Sequence, residues 1–193
     1  MKRFVVCLAG GLVLTMAVTS AQGPPPAGLA DMLRQNYNGL KNNVIQSAEK
    51  MPEADYGSKP SSMPEVRTFA QLFGHIANAQ YNQCAAARGV PNPSQGVNLE
   101  EKTSKADVTK FLADVFAFCD PAFQSLTDQS ALEMVAQGPR QVARGGILVG
   151  LLGHSNEMYG TAVVYLRAKN LVPPSTENAG RRGGGPGRGG RGQ

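Results

Sequence analysis

Between residues 33 and 51 apolar side chains recur at Leu33, Tyr37, Leu40, Val44 and Met51, with Ala48 in the gap. Steps of three and four put them on one side of a helix, so the spacing predicts an amphipathic helix from about Gly28 to Met51, stopped by Pro52. The stretch "PEADYGSKPSSMPEV" is dense in Pro, Gly and Ser and reads as a long connection. A second helix is predicted from about Arg67, capped by Thr68, to Arg88, with Gly89 terminating it. Its inner stripe is Phe69, Leu72, Ile76, Ala79 and Gln83, and His75 lies on the same side. After "GVPNPSQGVNLEEKT", a third helix spans about Ser104 to Leu126 with Val108, Phe111, Leu112, Val115, Phe118, Cys119 and Phe123 inward. Pro121 lies inside it and predicts a kink near Ala117. The fourth runs from about Pro139 to Lys169 with Ile147, Leu151, His154, Met158, Ala162 and Tyr165 as its stripe, and "VPPS" ends it. No segment reads as a strand. The pattern describes an all-α four-helix bundle with one long connection between its first two helices.

The two ends of the 193-residue chain change the picture of its charge and address. "MKRFVVCLAGGLVLTMAVTSAQ" has a basic start, an apolar run and a small-x-small finish, so residues 1–21 read as a cleavable signal peptide and the protein as exported, periplasmic or secreted. The apolar run is shorter than the ~20 residues a membrane span needs, and none is expected in the mature chain. Residues 176–193, mostly Gly and Arg, have too little apolar surface to offset chain entropy and read as a disordered tail. Attachment to anionic envelope surfaces is one use for such a tail. The domain proper is thus 22–175. Of the net charge of +5, the leader carries two positive charges and residues 174–193 a net three, so the folded part is neutral. That removes the basic face a nucleic-acid partner needs. Two cysteines remain after cleavage, Cys84 and Cys119; in an oxidising compartment they are either a disulfide or two separately buried thiols.

His75 and His154, the only two histidines, each sit on the apolar stripe of their own helix. A buried imidazole needs partners for both ring nitrogens, and bundles build metal sites from inward side chains on facing helices. Nothing in the chain has the form of a nucleophilic triad, a phosphate loop or a CxxC motif.

The segments "MPEADYGSKP", "EVRTFAQLFGHIANAQYNQCAAARGVPNP" and "LGHSNEMYGTAVVYLRAKNLVPPS" resemble the DinB-like family of four-helix bundles, in particular its exported branch. The resemblance implies a divalent metal, zinc or nickel, held by three histidines, one on the second helix and two spaced H-x-x-x-H on the fourth. His75 and His154 match the first two; Met158 stands where the third is expected. A thioether holds zinc and nickel poorly and Cu(I) fairly, and Glu157 points about 100° away on the helix. Three readings stay open: a degenerate site without metal, a weak site of His75, His154 and Glu157 or water, and a Cu(I) site with Met158. The resemblance also places Tyr56 and Lys59 near the bundle mouth, where with Tyr159 they would line a pocket. A solvated turn for the first two, and a framework role for Tyr159, are the alternatives.

Two function classes follow from the resemblance. One is a non-catalytic exported bundle that binds a small molecule or a protein in the family pocket. The other is a metal-dependent hydrolase or thiol S-transferase-like enzyme, in which a metal ion lowers the pKa of a bound nucleophile and needs three protein ligands plus an open position. The resemblance further implies a homodimer.

Overall fold

The computed structural model describes residues 27–182. The expected signal peptide, residues 22–26 and the tail beyond 182 lie outside the described residues. The helices are α1 (Leu29–Lys50), α2 (Phe69–Arg88), α3 (Lys105–Gln124), α4 (Asp128–Ala131), α5 (Arg144–Ala168) and α6 (Pro174–Arg182), with a hairpin of β1 (Met134–Gln137) and β2 (Arg140–Ala143) ahead of α5. Each of α1 and α2 packs against both α3 and α5, so α1 and α2 occupy opposite corners of the bundle. That diagonal placement is why the connection from 51 to 68 is long. No helix of the described residues is long and apolar enough to cross a membrane.

The stripes read from the sequence form most of the core, except that on α3 Phe116 is fully buried where Phe118 was expected, and Phe118 is half-buried. Tyr37, Leu40, Val44, Phe69, Ile76, Val115, Phe123, Leu151 and Ala162 are all buried. Tyr37 stacks on Phe123 at 4.0 Å between ring centroids, and its hydroxyl donates to Asp120 Oδ1 at 2.8 Å. Lys41 closes on the same carboxylate at 2.7 Å, giving α1 and α3 a shared polar clasp inside an apolar seam. Thr68 caps α2 as expected: its hydroxyl accepts from the Gln71 N–H while the Gln71 side chain accepts from the Thr68 N–H, satisfying two donors that the helix leaves open. Helix α3 runs through Pro121 without ending. The carbonyls on either side of Ala117, those of Phe116 and Phe118, accept from the Tyr37 hydroxyl and the Arg88 guanidinium.

Three expectations are corrected. The fourth long helix starts at Arg144, not Pro139, because residues 134–143 form a hairpin where no strand was expected. Gln137 pairs with Arg140, leaving Gly138 and Pro139 as a two-residue loop, and Gly138 has φ +59°. Pro139 cannot take a positive φ, so the turn is the type II′ form that demands Gly first. Strands of four residues are too short to show a period. The second change is at the C-terminal side: residues 174–182 form α6, where the tail was expected to begin at 176. Pro174 suits a first helical position, and the helix is tied to α1 by the Lys50–Glu177 ion pair. Third, the inward polar residue of α2 is Gln80, fully buried, whereas Gln83 is half-buried.

Candidate functional site

His75 on α2 and His154 on α5 meet: their ring centroids are 5.0 Å apart with the planes at 68°. Both are half-buried, at the edge of the core and not deep within it. The helices bring them together because α2 and α5 are adjacent in the bundle and each ring follows a buried residue stripe.

A third group is brought to them from a loop. The short 3-10 turn Leu99–Glu101 lies directly on α2 at Gly74, where a Cβ would sit 2.6 Å from the Glu100 nitrogen and from the Leu99 carbonyl atoms. Only glycine permits that approach. Asn78 pins the turn by accepting from the Leu99 N–H at 3.1 Å, and the Asn98 side chain accepts from the Glu100 N–H at 3.1 Å. Glu100 then places one carboxylate oxygen 2.9 Å from His75 Nδ1, and its other oxygen accepts from Arg67 Nε at 2.9 Å. Arg67 is itself fixed at its carbonyl by the Tyr165 hydroxyl at 2.6 Å.

The electrostatics follow from this chain of contacts. Burial pushes the Glu100 carboxyl up, but the hydrogen bonds and charges of Arg67 and His75 outweigh it and hold it below the usual carboxylate range. His154 is held below the ordinary imidazole value, first by burial, then by His75 and Arg67, with Glu157 opposing. A carboxylate at His75 Nδ1 requires the proton there, which in the uncharged ring leaves Nε2 with its lone pair.

Does this set fit the metal that the resemblance implies? Two imidazoles bound at about 2.0–2.1 Å to one tetrahedral ion would hold their centroids roughly 5 Å apart, and the observed pair matches that spacing. The rest does not fit. Among the described residues no group of three His, Cys, Asp or Glu could hold an ion. Glu100 is engaged by Arg67 and His75, Glu157 is exposed, and Met158 is half-buried against the core. The donor set is two nitrogens with a thioether near by in sequence, which falls short of a three-ligand divalent centre.

The expected pocket residues fare differently. Tyr56 is a core residue, 2% exposed, with its hydroxyl donating to the Ala48 carbonyl at 2.6 Å and its ring edge on Phe69, so it offers no face to a ligand. Lys59 is exposed on the long connection. Tyr159 is buried and accepts from the Ser175 N–H at 3.0 Å, which makes it an anchor for the start of α6. Cys84 and Cys119 are joined as a disulfide between α2 and α3, with Cα atoms 5.4 Å apart. Sequence reasoning missed Glu100, Arg67 and the buried Gln80–Ser155 hydrogen bond of 3.2 Å between α2 and α5. The Asn-Leu-Glu at 98–100, a capping residue with an acid two places on, was the available signal for the first.

A sequence model of the family described as the DinB superfamily matches residues 37–162. No curated protein matches the chain. The fold is similar to the crystal structure of a DinB-like protein from Bacillus cereus, at 17% identity and a TM-score of 0.60, covering 74% of this chain and 93% of that one. It is also similar to a DinB-like protein from Bacillus subtilis, at 16% identity and 0.57, covering 73% and 93%. A conserved protein from Enterococcus faecalis matches at 15% identity and 0.58, covering 74% and 97%. At these identities the likeness shows the fold alone.

Proposed function

This chain belongs to the DinB superfamily, and for this member we propose an exported bundle that binds a small ligand at the His75–His154 pair without catalysis. The observation that carries the reading is the incomplete donor set: two imidazoles 5.0 Å apart, with Met158 where a third histidine is expected. The polar nitrogens at the edge of an apolar bundle suit a small molecule with a polar head, held by hydrogen bonds. Export rests on the leader sequence, and the neutral folded part favours a small molecule or a protein over nucleic acid as partner.

A specific contact favours the second reading, a weak divalent-metal site serving a hydrolase or a thiol S-transferase-like enzyme. The Glu100–His75 hydrogen bond is the kind of support that orients a metal-ligating imidazole and raises its basicity. Cu(I) held with Met158 is the softer variant of the same idea.

Metal analysis separates these readings. Native protein purified from its own compartment and dialysed is expected to hold far less than one equivalent of zinc, nickel or copper. Met158→His is expected to bind zinc at least tenfold more tightly, because an i,i+4 histidine pair on one helix face completes three ligands. One equivalent of metal in the native protein, lost on His154→Ala, would overturn the non-catalytic reading in favour of the enzyme.

A further inference from the structure

Gln80 on α2 is fully buried, and its amide nitrogen donates to Ser155 Oγ on α5 at 3.2 Å. What its oxygens face is the Cys84–Cys119 bridge. Cys84 Sγ lies 3.9 Å from Gln80 Oε1, and Cys119 Sγ, reaching across from α3, lies 3.3 Å from the Gln80 carbonyl oxygen. Both cysteines are fully buried, as are Ile76 and Val115, which stand one turn before Gln80 and Cys119 on their own helices. The four polar or sulfur-bearing atoms thus share an apolar seam.

A sulfur in a disulfide carries no hydrogen, so neither contact is a hydrogen bond while the bridge is closed. Gln80 Oε1 then faces a sulfur that cannot donate, and a buried acceptor left without a donor is costly. Opening the bridge reverses this. Each sulfur gains an S–H, and each S–H already has an oxygen of Gln80 within reach. The carbonyl oxygen can take the Cys119 thiol on the lone pair that its helical bond leaves free. Gln80 therefore favours the dithiol over the disulfide. The helices are also weak where the bridge joins them: Cys84 lies one turn before Arg88, the last residue of α2, and Cys119 lies just before Pro121, which has no N–H to offer the Ala117 carbonyl. Segments of this kind open locally at less cost than the whole bundle.

We propose that the Cys84–Cys119 pair is redox-active, with Gln80 holding the dithiol state through two S–H···O hydrogen bonds inside a bundle that stays folded. The reductant is a dithiol. Its thiolate attacks one sulfur of the bridge, the S–S bond breaks, a mixed disulfide forms and the other cysteine leaves as a thiolate; the reductant's second thiol then displaces the remaining sulfur. Two electrons and two protons pass to the pair, which becomes two thiols, and the reductant ends as its own disulfide.

The test uses the full chain carrying Cys7→Ser, in which this pair holds the only cysteines. The protein is equilibrated with mixtures of reduced and oxidised dithiothreitol, and the dithiol fraction is read by alkylation and mass. Reduction at 25 °C is expected to keep the helical circular dichroism and to give S–H infrared bands at lower frequency than a free thiol, because hydrogen bonding weakens the stretch. Gln80→Met keeps the length of the side chain without its amide, and should move the midpoint at least threefold toward the disulfide. A loss of stability common to both redox states cancels in that comparison. If Gln80→Met folds poorly, the infrared bands of the chain with Gln80 in place decide the matter. Loss of the helical signal on reduction, S–H bands at the free-thiol frequency, or a midpoint that Gln80→Met leaves unmoved or shifts toward the dithiol would each overturn the proposal.

Discussion

Replacing Gly74 with alanine tests how the Glu100 turn is positioned. In an exposed helix this change would stabilise, by up to about 1 kcal/mol. Here the new Cβ would sit 2.6 Å from three backbone atoms of Leu99 and Glu100, against the ~3.5–4.0 Å of an ordinary contact. The turn must therefore retreat by roughly 1 Å. Added to the present 2.9 Å, that carries Glu100 Oε1 out of hydrogen-bond range of His75 Nδ1. Overpacking costs about 1–3 kcal/mol, and loss of a half-exposed charged contact adds up to ~1 kcal/mol after screening. Less the helix gain, the net is a destabilisation of about 1–3 kcal/mol, or a Tm lower by roughly 2–12 °C at ~2–4 °C per kcal/mol for a domain of this size. Thermal unfolding followed by circular dichroism reads the stability, and the imidazole nitrogen signals of His75 read the tautomer, which should lose its preference for a proton on Nδ1. Gly153→Ala is the control. It lies exposed in α5 with nothing within 4 Å of its Cβ, and should raise Tm by a few degrees. If Gly74→Ala matched Gly153→Ala in stability and left the His75 signals unchanged, the argument from the close approach would fail.

The Cys84–Cys119 bridge closes a sequence separation of 35, for which chain entropy gives about 4 kcal/mol. Reduction should therefore lower Tm by roughly 8–15 °C, and a scan in reductant that overlays the oxidised one would contradict it. His154 has its folded-state pKa depressed, so the unfolded chain takes up its proton first on acidification. The stability it contributes is complete above the ordinary imidazole value of 6.5 and is lost as pH falls through its lowered folded value. In EDTA-treated protein, His154→Gln should flatten the slope of stability against pH below that point; an unchanged slope would assign it to another group. Glu100 behaves in the same sense at more acid pH, since its folded value is also lowered, and Glu100→Gln should remove stability that the native protein has above the ordinary carboxylate value of 4.5.

The helical stripes were legible because burial on one side of a long helix repeats every three to four residues, and four such repeats leave little choice of architecture. His75 and His154 were legible for the same reason: each stands among apolar neighbours with the right spacing. Glu100 was not, since nothing in a turn-rich link says which helix it will lie against. Tyr56 failed in the opposite way. The family resemblance placed it at a pocket, yet the connection folds back so that the ring packs on Phe69 inside the core.

Local spacing was enough for the helices, the two inward histidines and the methionine beside them, since each depends on neighbours within a few residues. It took the packed bundle to set α1 and α2 on a diagonal, to bring Cys84 to Cys119, and to carry Glu100 to His75 over Gly74. The last two depend on residues 25 to 35 positions apart being brought together, and the diagonal on helices further apart still, as Tyr37 and Asp120 are at a separation of 83. Which partners meet at that range is set by how whole helices pack, and no local pattern encodes it.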